Sequence, residues 1–141
     1  MPTKLTLAVM AGLLLPLQAA AQSPIPPHMV PMPRGILTTC YASLAEGREA
    51  TAIEQVREIY EEAYAGEPFV RVVSTPPETK QTLGSNLCLI YVILDQRTNR
   101  LIVVSALDNL VKGGAGQGVQ DMNLMLGLPE TAGLDDIGVY P

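Results

Sequence analysis

The sequence predicts an α+β domain, a mixed or antiparallel sheet with helices on one face. Three observations lead there. Apolar, β-branched runs recur over residues 35–42, 69–74, 87–94 and 101–106, with one helical repeat over 51–66 and another closing the chain after residue 114. The order strand, helix, strand, hairpin, helix belongs to a two-layer unit rather than to regular β-α alternation. Hydrophobic content of 48% against 16% charged residues supplies enough apolar surface for a packed core.

Residues 1–21 have the layout of a secretory leader, with Lys4 in a short head, an apolar run over 5–15, and Ala19-Ala20-Ala21 before Gln22. That run falls well short of the ~20 residues a membrane-spanning helix needs. Export is one origin for it; a misplaced gene start or a frameshift is the other, and the residues leave both open. Residues 22–33 read as a linker, because Pro24, Pro26, Pro27, Pro31 and Pro33 fix φ and remove backbone donors.

Residues 34–141 hold the domain. Its first strand is expected over 35–42. Thr51-x-x-Glu54 has the form of a capping box, followed by an apolar stripe of Ile53, Val56, Tyr60 and Ala63 and a stop at Gly66. The acidic run over 46–67 is then the solvated face of that helix. A strand over 69–74 ends before Pro76-Pro77, and Gly84-Ser85-Asn86 is a turn. Runs 87–94 and 101–106 form a hairpin about the polar segment 95–100. The last helix is expected over 114–126, with Ala115, Val119, Met122 and Leu126 as its apolar stripe and Gly127 and Pro129 stopping it. The face around Val119, Met122 and Leu126 is expected to lie exposed when the domain stands alone.

The function classes narrow quickly. A net charge of −5, one Phe and no Trp leave neither a basic footprint nor stacking platforms for nucleic acid. No His, Cys, Asp and Glu group has metal-ligand spacing. Cys40 and Cys88 lie in apolar runs and are expected to be buried free thiols, with no nearby His or helix start to lower their pKa. Spacing alone does not decide whether they pair.

The chemistry concentrates near Gly113, Gly114, Gly116 and Gly118, four glycines at the head of a helix that each costs roughly 1 kcal/mol against alanine. A phosphate loop would need Lys and Ser or Thr where Val119-Gln120 stand, and a dinucleotide fingerprint from Gly114 would need glycine at Val119. Bare backbone then serves either close approach of a ligand or tight helix-to-sheet packing. Arg34, between Pro33 and Gly35, offers a guanidinium fork to a carboxylate or phosphate, or a surface ion pair. Lys112 could neutralise a phosphate or simply stand in solvent, and Asn109 could cap the turn before the helix. His28, the only histidine, reads as a loop residue holding backbone geometry.

Several blocks together carry a resemblance. Pro27-His28-Met29-Val30-Pro31-Met32-Pro33-Arg34-Gly35-Ile36-Leu37, Gly84-Ser85-Asn86-Leu87-Cys88, Asp108-Asn109-Leu110-Val111-Lys112-Gly113 with its glycine-rich helix, and the closing 126–134 segment keep order and spacing. Residues 27–134 thereby resemble the C-terminal portion of N-acetyl-gamma-glutamyl-phosphate reductases, relatives of the semialdehyde dehydrogenases. The resemblance implies a substrate and dimerisation domain of the glyceraldehyde-3-phosphate dehydrogenase type. It also implies NADP as cofactor, N-acetyl-glutamyl phosphate as substrate, arginine biosynthesis, a homo-oligomer and a cytoplasmic setting unless the leader is real. Gly113, Gly114, Gly116 and Gln117 would face the nicotinamide, with Gln117 on its carboxamide, and Arg34 and Lys112 would bind substrate. A complete member also carries a dinucleotide-binding domain, a nucleophilic cysteine and a histidine base ahead of the Pro-His block, none of which precedes residue 27 here. The expectation is therefore a portion of the reductase, inactive alone, and the alternative is a non-catalytic binding module, exported if the leader works.

Overall fold

A computed structural model describes residues 30–44, 52–135 and 138 of the chain. The leader-like segment, His28, Thr51 and residues 22–29 of the linker lie outside the described residues. Every element below belongs to the compact unit Met32–Pro141.

Four strands form one sheet in the order β1-β4-β3-β2, where β1 is Ile36–Ser43, β2 Val70–Val73, β3 Cys88–Asp95 and β4 Arg100–Leu107. β4 pairs antiparallel with β1 and β3, while β2 lies parallel to β3. The class is α+β with a mixed sheet, as the sequence predicts. A parallel pair needs a crossover of about a dozen residues or more. Residues 74–87 provide it with a 3-10 turn, Thr79–Thr82, in place of a helix. Gly35 makes room for that turn. At its φ of +104° a side chain is strained, and a Cβ there would stand 2.6 Å from the Thr79 Cβ.

The helix α1, Ile53–Ala63, packs against β3 and β2. Val56 from α1 and Ile90 and Val92 from β3 are its buried core, ringed by Ile53, Tyr60, Val70, Cys88, Leu101 and Val103. The acidic face of the helix is exposed, as expected. Ala52 takes the N-cap position without a side-chain bond, and the expected capping residue, Thr51, lies outside the described residues. Packing of the apolar stripe fixes this helix on the sheet.

Alternation along the strands explains which residues reach the core. Cys88, Ile90 and Val92 share a face with Leu101, Val103 and Cys40, because directly paired antiparallel residues point the same way. The opposite face carries Tyr91, Ile93, Ile102, Val104, Thr39 and Tyr41. Cys40 corrects the expectation of two buried thiols. It is exposed, Cys88 is half-buried, and both are free. An apolar run does not reveal whether its strand is central or at an edge, and β1 is at the edge with all its residues exposed.

The last helix begins later than expected. A wide turn, Val111–Ala115, kinks at Gly114 and leads into α2, Gly116–Leu126, which ends at Gly127 in the left-handed conformation (φ +69°). Its buried face is Gly116, Gln120 and Asn123, whereas Met122 and Leu126 are exposed. Hydrogen bonds seat this helix, so Met122 and Leu126 of its apolar stripe stay uncovered while Val119 is half-buried at the cleft described below.

Two substitutions should separate core from surface. Ile90→Ala should lower the unfolding free energy by roughly 2–5 kcal/mol. Met125→Ala, at a residue 85% exposed, should change it by no more than about 0.5 kcal/mol. Urea titration followed by circular dichroism reads both.

Candidate functional site

The end of β4 delivers Asp108 into the interior, where its side chain is fully buried. Arg34 closes on it with a fork, Nε donating to Oδ1 at 3.2 Å and Nη2 to Oδ2 at 2.6 Å. The backbone N–H groups of Gly84 (2.7 Å), Leu110 (2.8 Å) and Val111 (3.2 Å) donate to the same carboxylate. Burial pushes the Asp108 pKa up, but the Arg34 bond and these three backbone donors outweigh it and hold the group down at about 2. Next to it the Gly35 N–H donates to Asn109 Oδ1 at 2.8 Å. One Asp-Asn pair thus ties the entry to β1, the turn at Gly84 and the start of the wide turn into a single node.

A second polar centre lies under α2. Gln120 is buried and accepts through Oε1 from Asn86 Nδ2 (3.0 Å) and from the Lys112 ammonium (2.6 Å). Its Nε2 donates to Glu130 Oε1 at 2.6 Å. Asn123 donates to the carbonyls of Glu130 (3.1 Å) and Ala132 (2.9 Å), fastening the segment after the helix. The Lys112 Nζ also stands 5.6 Å from the centre of the Phe69 ring, a cation–π contact. Burial pushes the neighbouring Cys88 thiol up, with Lys112 opposing.

Between these centres a cleft of about 230 Å³ opens, lined by Gly84, Asn86, Val111, Ala115, Gly116, Val119, Gly133 and Leu134. Its walls are mostly apolar. The glycines divide in their roles. A Cβ on Gly116 would stand 2.5 Å from Asn86 Oδ1 and 2.8 Å from the Val111 carbonyl, so bare backbone there is a packing requirement. Gly113 is tight against Leu107, with 3.2 Å for a notional Cβ. Gly114 and Gly118 are open: only the Asn109 carbonyl, at 3.4 Å, approaches the first, and nothing approaches the second within 4 Å. Gln117 is near the surface and donates to Asp121 Oδ1 at 2.8 Å.

The sequence-predicted residues therefore gather around one end of the sheet, with corrections. The Arg34 fork closes on an internal carboxylate, because Asp108 is buried and needs a charged partner. Asn109 reaches Gly35 across the fold instead of capping its own turn. Lys112 is half-buried and bonded, not free in solvent. Asp108, Gln120, Asn123 and Glu130 lie in the resembling blocks, but the sequence assigns them no role of their own. An acidic residue directly after a long apolar strand was the available signal for Asp108. Among the described residues, no cluster of His, Cys, Asp and Glu could hold a metal ion.

Comparison with known proteins identifies the relatives of this chain. The family model described as semialdehyde dehydrogenase, dimerisation domain, matches residues 15–109. The chain is 52% identical over 115 residues to the N-acetyl-gamma-glutamyl-phosphate reductase of Dehalococcoides mccartyi, covering 82% of this chain and 33% of that relative. With the reductases of Geobacter sp. and Heliobacterium modesticaldum the identity is 54% and 50%, each over 117 residues and with the same shares covered. The chain spans about a third of the length of the curated relatives it matches.

The Asp108 node should be visible in the pH dependence of stability. A carboxylate held at about 2 in the fold, against 3.8 ordinarily, stabilises the protein above pH ~4 and loses that contribution as pH falls through about 2. The loss should be about 2 kcal/mol. Asp108→Asn should lower stability at pH 7 by roughly 2–4 kcal/mol, since it leaves Arg34 without its counter-charge. It should also flatten the profile between pH ~4 and ~2. Urea midpoints across that range measure both effects; an unchanged slope in Asp108→Asn would refute the assignment.

Proposed function

The chain belongs to the semialdehyde dehydrogenase dimerisation-domain family, and from that premise we propose that it is the substrate-side, subunit-joining portion of an N-acetyl-gamma-glutamyl-phosphate reductase. The observation that carries this reading is 52% identity over 115 residues to a relative bearing that name. In the proposed reaction a cysteine thiolate displaces phosphate from the acyl phosphate, and the resulting thioester is reduced to the semialdehyde with hydride that NADPH supplies when bound.

The residues of this chain bind and position. Neither cysteine suits the nucleophile's role: Cys40 sits on an exposed edge strand, and burial raises the Cys88 thiol. The head of α2 suits a flat ring, because the adjoining cleft is mostly apolar and Gly114 offers bare backbone with little against it. Gln117 would turn from Asp121 to the carboxamide of that ring, while Gly113 and Gly116 shape the floor beneath. Lys112 uses one donor on Gln120 and is the cation we assign to a phosphate. Arg34 we assign to holding Asp108, which fixes the turn that carries Lys112.

We further propose that two surfaces are covered in the working protein. One is the outer side of α2, where Met122, Leu124, Met125 and Leu126 are exposed, which we assign to the cofactor-binding portion of the reductase. The other is the sheet around β1, which we assign to a second copy, in keeping with the family's description. With that biosynthetic role we assign the protein to the cytoplasm. Among the described residues no helix is long and apolar enough to cross a membrane.

The purified chain should show no NADPH oxidation with N-acetyl-glutamyl phosphate. Turnover should appear on adding the amino-terminal portion of the Dehalococcoides relative, and Met122→Asp should weaken that association about tenfold, a cost of ~1.4 kcal/mol. Turnover by the chain alone that vanishes in Cys40→Ala or Cys88→Ala, or no association with the added portion, would overturn the reading.

A further inference from the structure

We propose that Glu130 is a positioning residue, which orients the Gln120 amide and through it holds the Lys112 ammonium in place for a phosphate. This rests on the assignment of Lys112 to a phosphate above and deepens it. A lysine ammonium can only donate hydrogen bonds, and an ionised carboxylate can only accept them. An amide between the two has one satisfied orientation, with its oxygen toward the lysine and its nitrogen toward the carboxylate. Gln120 stands in that place. Lys112 Nζ donates to its Oε1 at 2.6 Å, and its Nε2 donates to Glu130 Oε1 at 2.6 Å. The amide is buried, so water is a poor substitute for either partner.

The neighbouring Asn86 shows that this polarity is enforced. Its side chain is 2% exposed, and Nδ2 donates to Gln120 Oε1 at 3.0 Å. Its own Oδ1 is buried and finds no hydrogen-bond partner among the described residues. A notional Cβ on Gly116 would stand 2.5 Å from that oxygen, which is therefore turned against bare backbone. Reversing the Asn86 amide would set two oxygens face to face at Gln120. Reversing Gln120 as well would set donor against donor at Lys112 and oxygen against oxygen at Glu130. An orphaned buried carbonyl is uncommon and calls for a reason. Here the reason is the direction of the relay from Glu130 to Gln120 to Lys112, which the Asn86 amide follows, leaving its oxygen unpaired.

The ring of Phe69, itself buried, also confines the ammonium, with its centre 5.6 Å from Lys112 Nζ. One N–H of the three is committed to Gln120, and others remain for an oxyanion. Glu130 is fastened by its main chain, whose carbonyl accepts from Asn123 Nδ2 at 3.1 Å. A change of its side chain therefore leaves the segment anchored and removes only the partner of Gln120.

Nitrogen-15 NMR detects a lysine ammonium only where bonding slows its hydrogen exchange, and Lys112→Arg identifies the Lys112 signal by deleting it. Glu130→Ala and Glu130→Gln both remove the charge, but only glutamine keeps an oxygen that accepts from Gln120 Nε2. The signal should be present in the wild type, lost in Glu130→Ala and restored in Glu130→Gln. Titrated with inorganic phosphate, Glu130→Ala should bind about tenfold more weakly than the wild type, and Glu130→Gln should recover most of that loss. Loss of a nearby negative charge alone would tighten phosphate binding, so weaker binding reads orientation rather than charge. A signal retained in Glu130→Ala, lost alike in both variants, or absent from the wild type would overturn the positioning role. Phosphate that leaves the wild-type Lys112 signal unmoved would overturn the phosphate assignment instead, with the positioning role still decided by the two variants.

Discussion

The carboxylate of Asp108 is the constraint on which this end of the molecule depends. Burying a charge is costly, and it is tolerated only where partners replace the lost water. Here those partners come from three separate parts of the chain: Arg34 before β1, Gly84 in the crossover, and Leu110 and Val111 in the turn after β4. Once Asp108 is desolvated, each of these segments has a fixed place, since losing any donor leaves a buried charge under-satisfied. The adjacent Asn109 adds Gly35 to the same assembly. The cleft and the glycine-rich turn inherit their positions from that assembly rather than from apolar packing.

The domain is consequently built in two ways at once. Val56, Ile90 and Val92 form an apolar core under α1. Toward the other end, Thr82, Ser85, Asn86, Asp108, Gln120 and Asn123 are buried, and they are polar. Such networks tolerate little loosening, because in a low dielectric an unmade bond costs more than a made one returns. Specific geometry at the cleft follows from this. Asn86 and Lys112 both converge on Gln120 Oε1, so the loop at residue 86, the turn at 112 and the helix at 120 hold one another in register.

The strands were legible in the sequence because β-branched and apolar runs bounded by turns leave few other options. The hairpin of β3 and β4 was read to within one residue at each end, and Gly127 was read correctly as the helix stop. The partners of Asp108 and Asn109 were not legible. Both residues reach across a separation of 74 positions, and an Asp-Asn pair after a strand has the look of an ordinary turn. The glycine run announced a need for bare backbone but not its direction. The structure answers residue by residue, with Gly116 turned in against Asn86 and Gly118 turned out. Edge position escaped the sequence too, since β1 and β4 are similarly apolar and only the pairing order separates them.

The helix α2 shows what apolar periodicity does and does not tell. Apolar spacing identifies a face that seeks cover, and it is silent on whether the cover belongs to the same domain. In the sequence the face of Val119, Met122 and Leu126 reads as one that a domain standing alone leaves exposed. The sheet side is taken by Gly116, Gln120 and Asn123, each satisfied or fitted by a specific contact. Hydrogen bonds thus set the rotation of the helix about its axis, and that rotation turns Met125 and Leu126 outward. A helix oriented in this way can present an apolar surface without collapsing onto its own core. The kinked turn that bares the backbone of Gly114 leads straight into the helix that carries the apolar outer stripe, so the stripe begins beside the cleft.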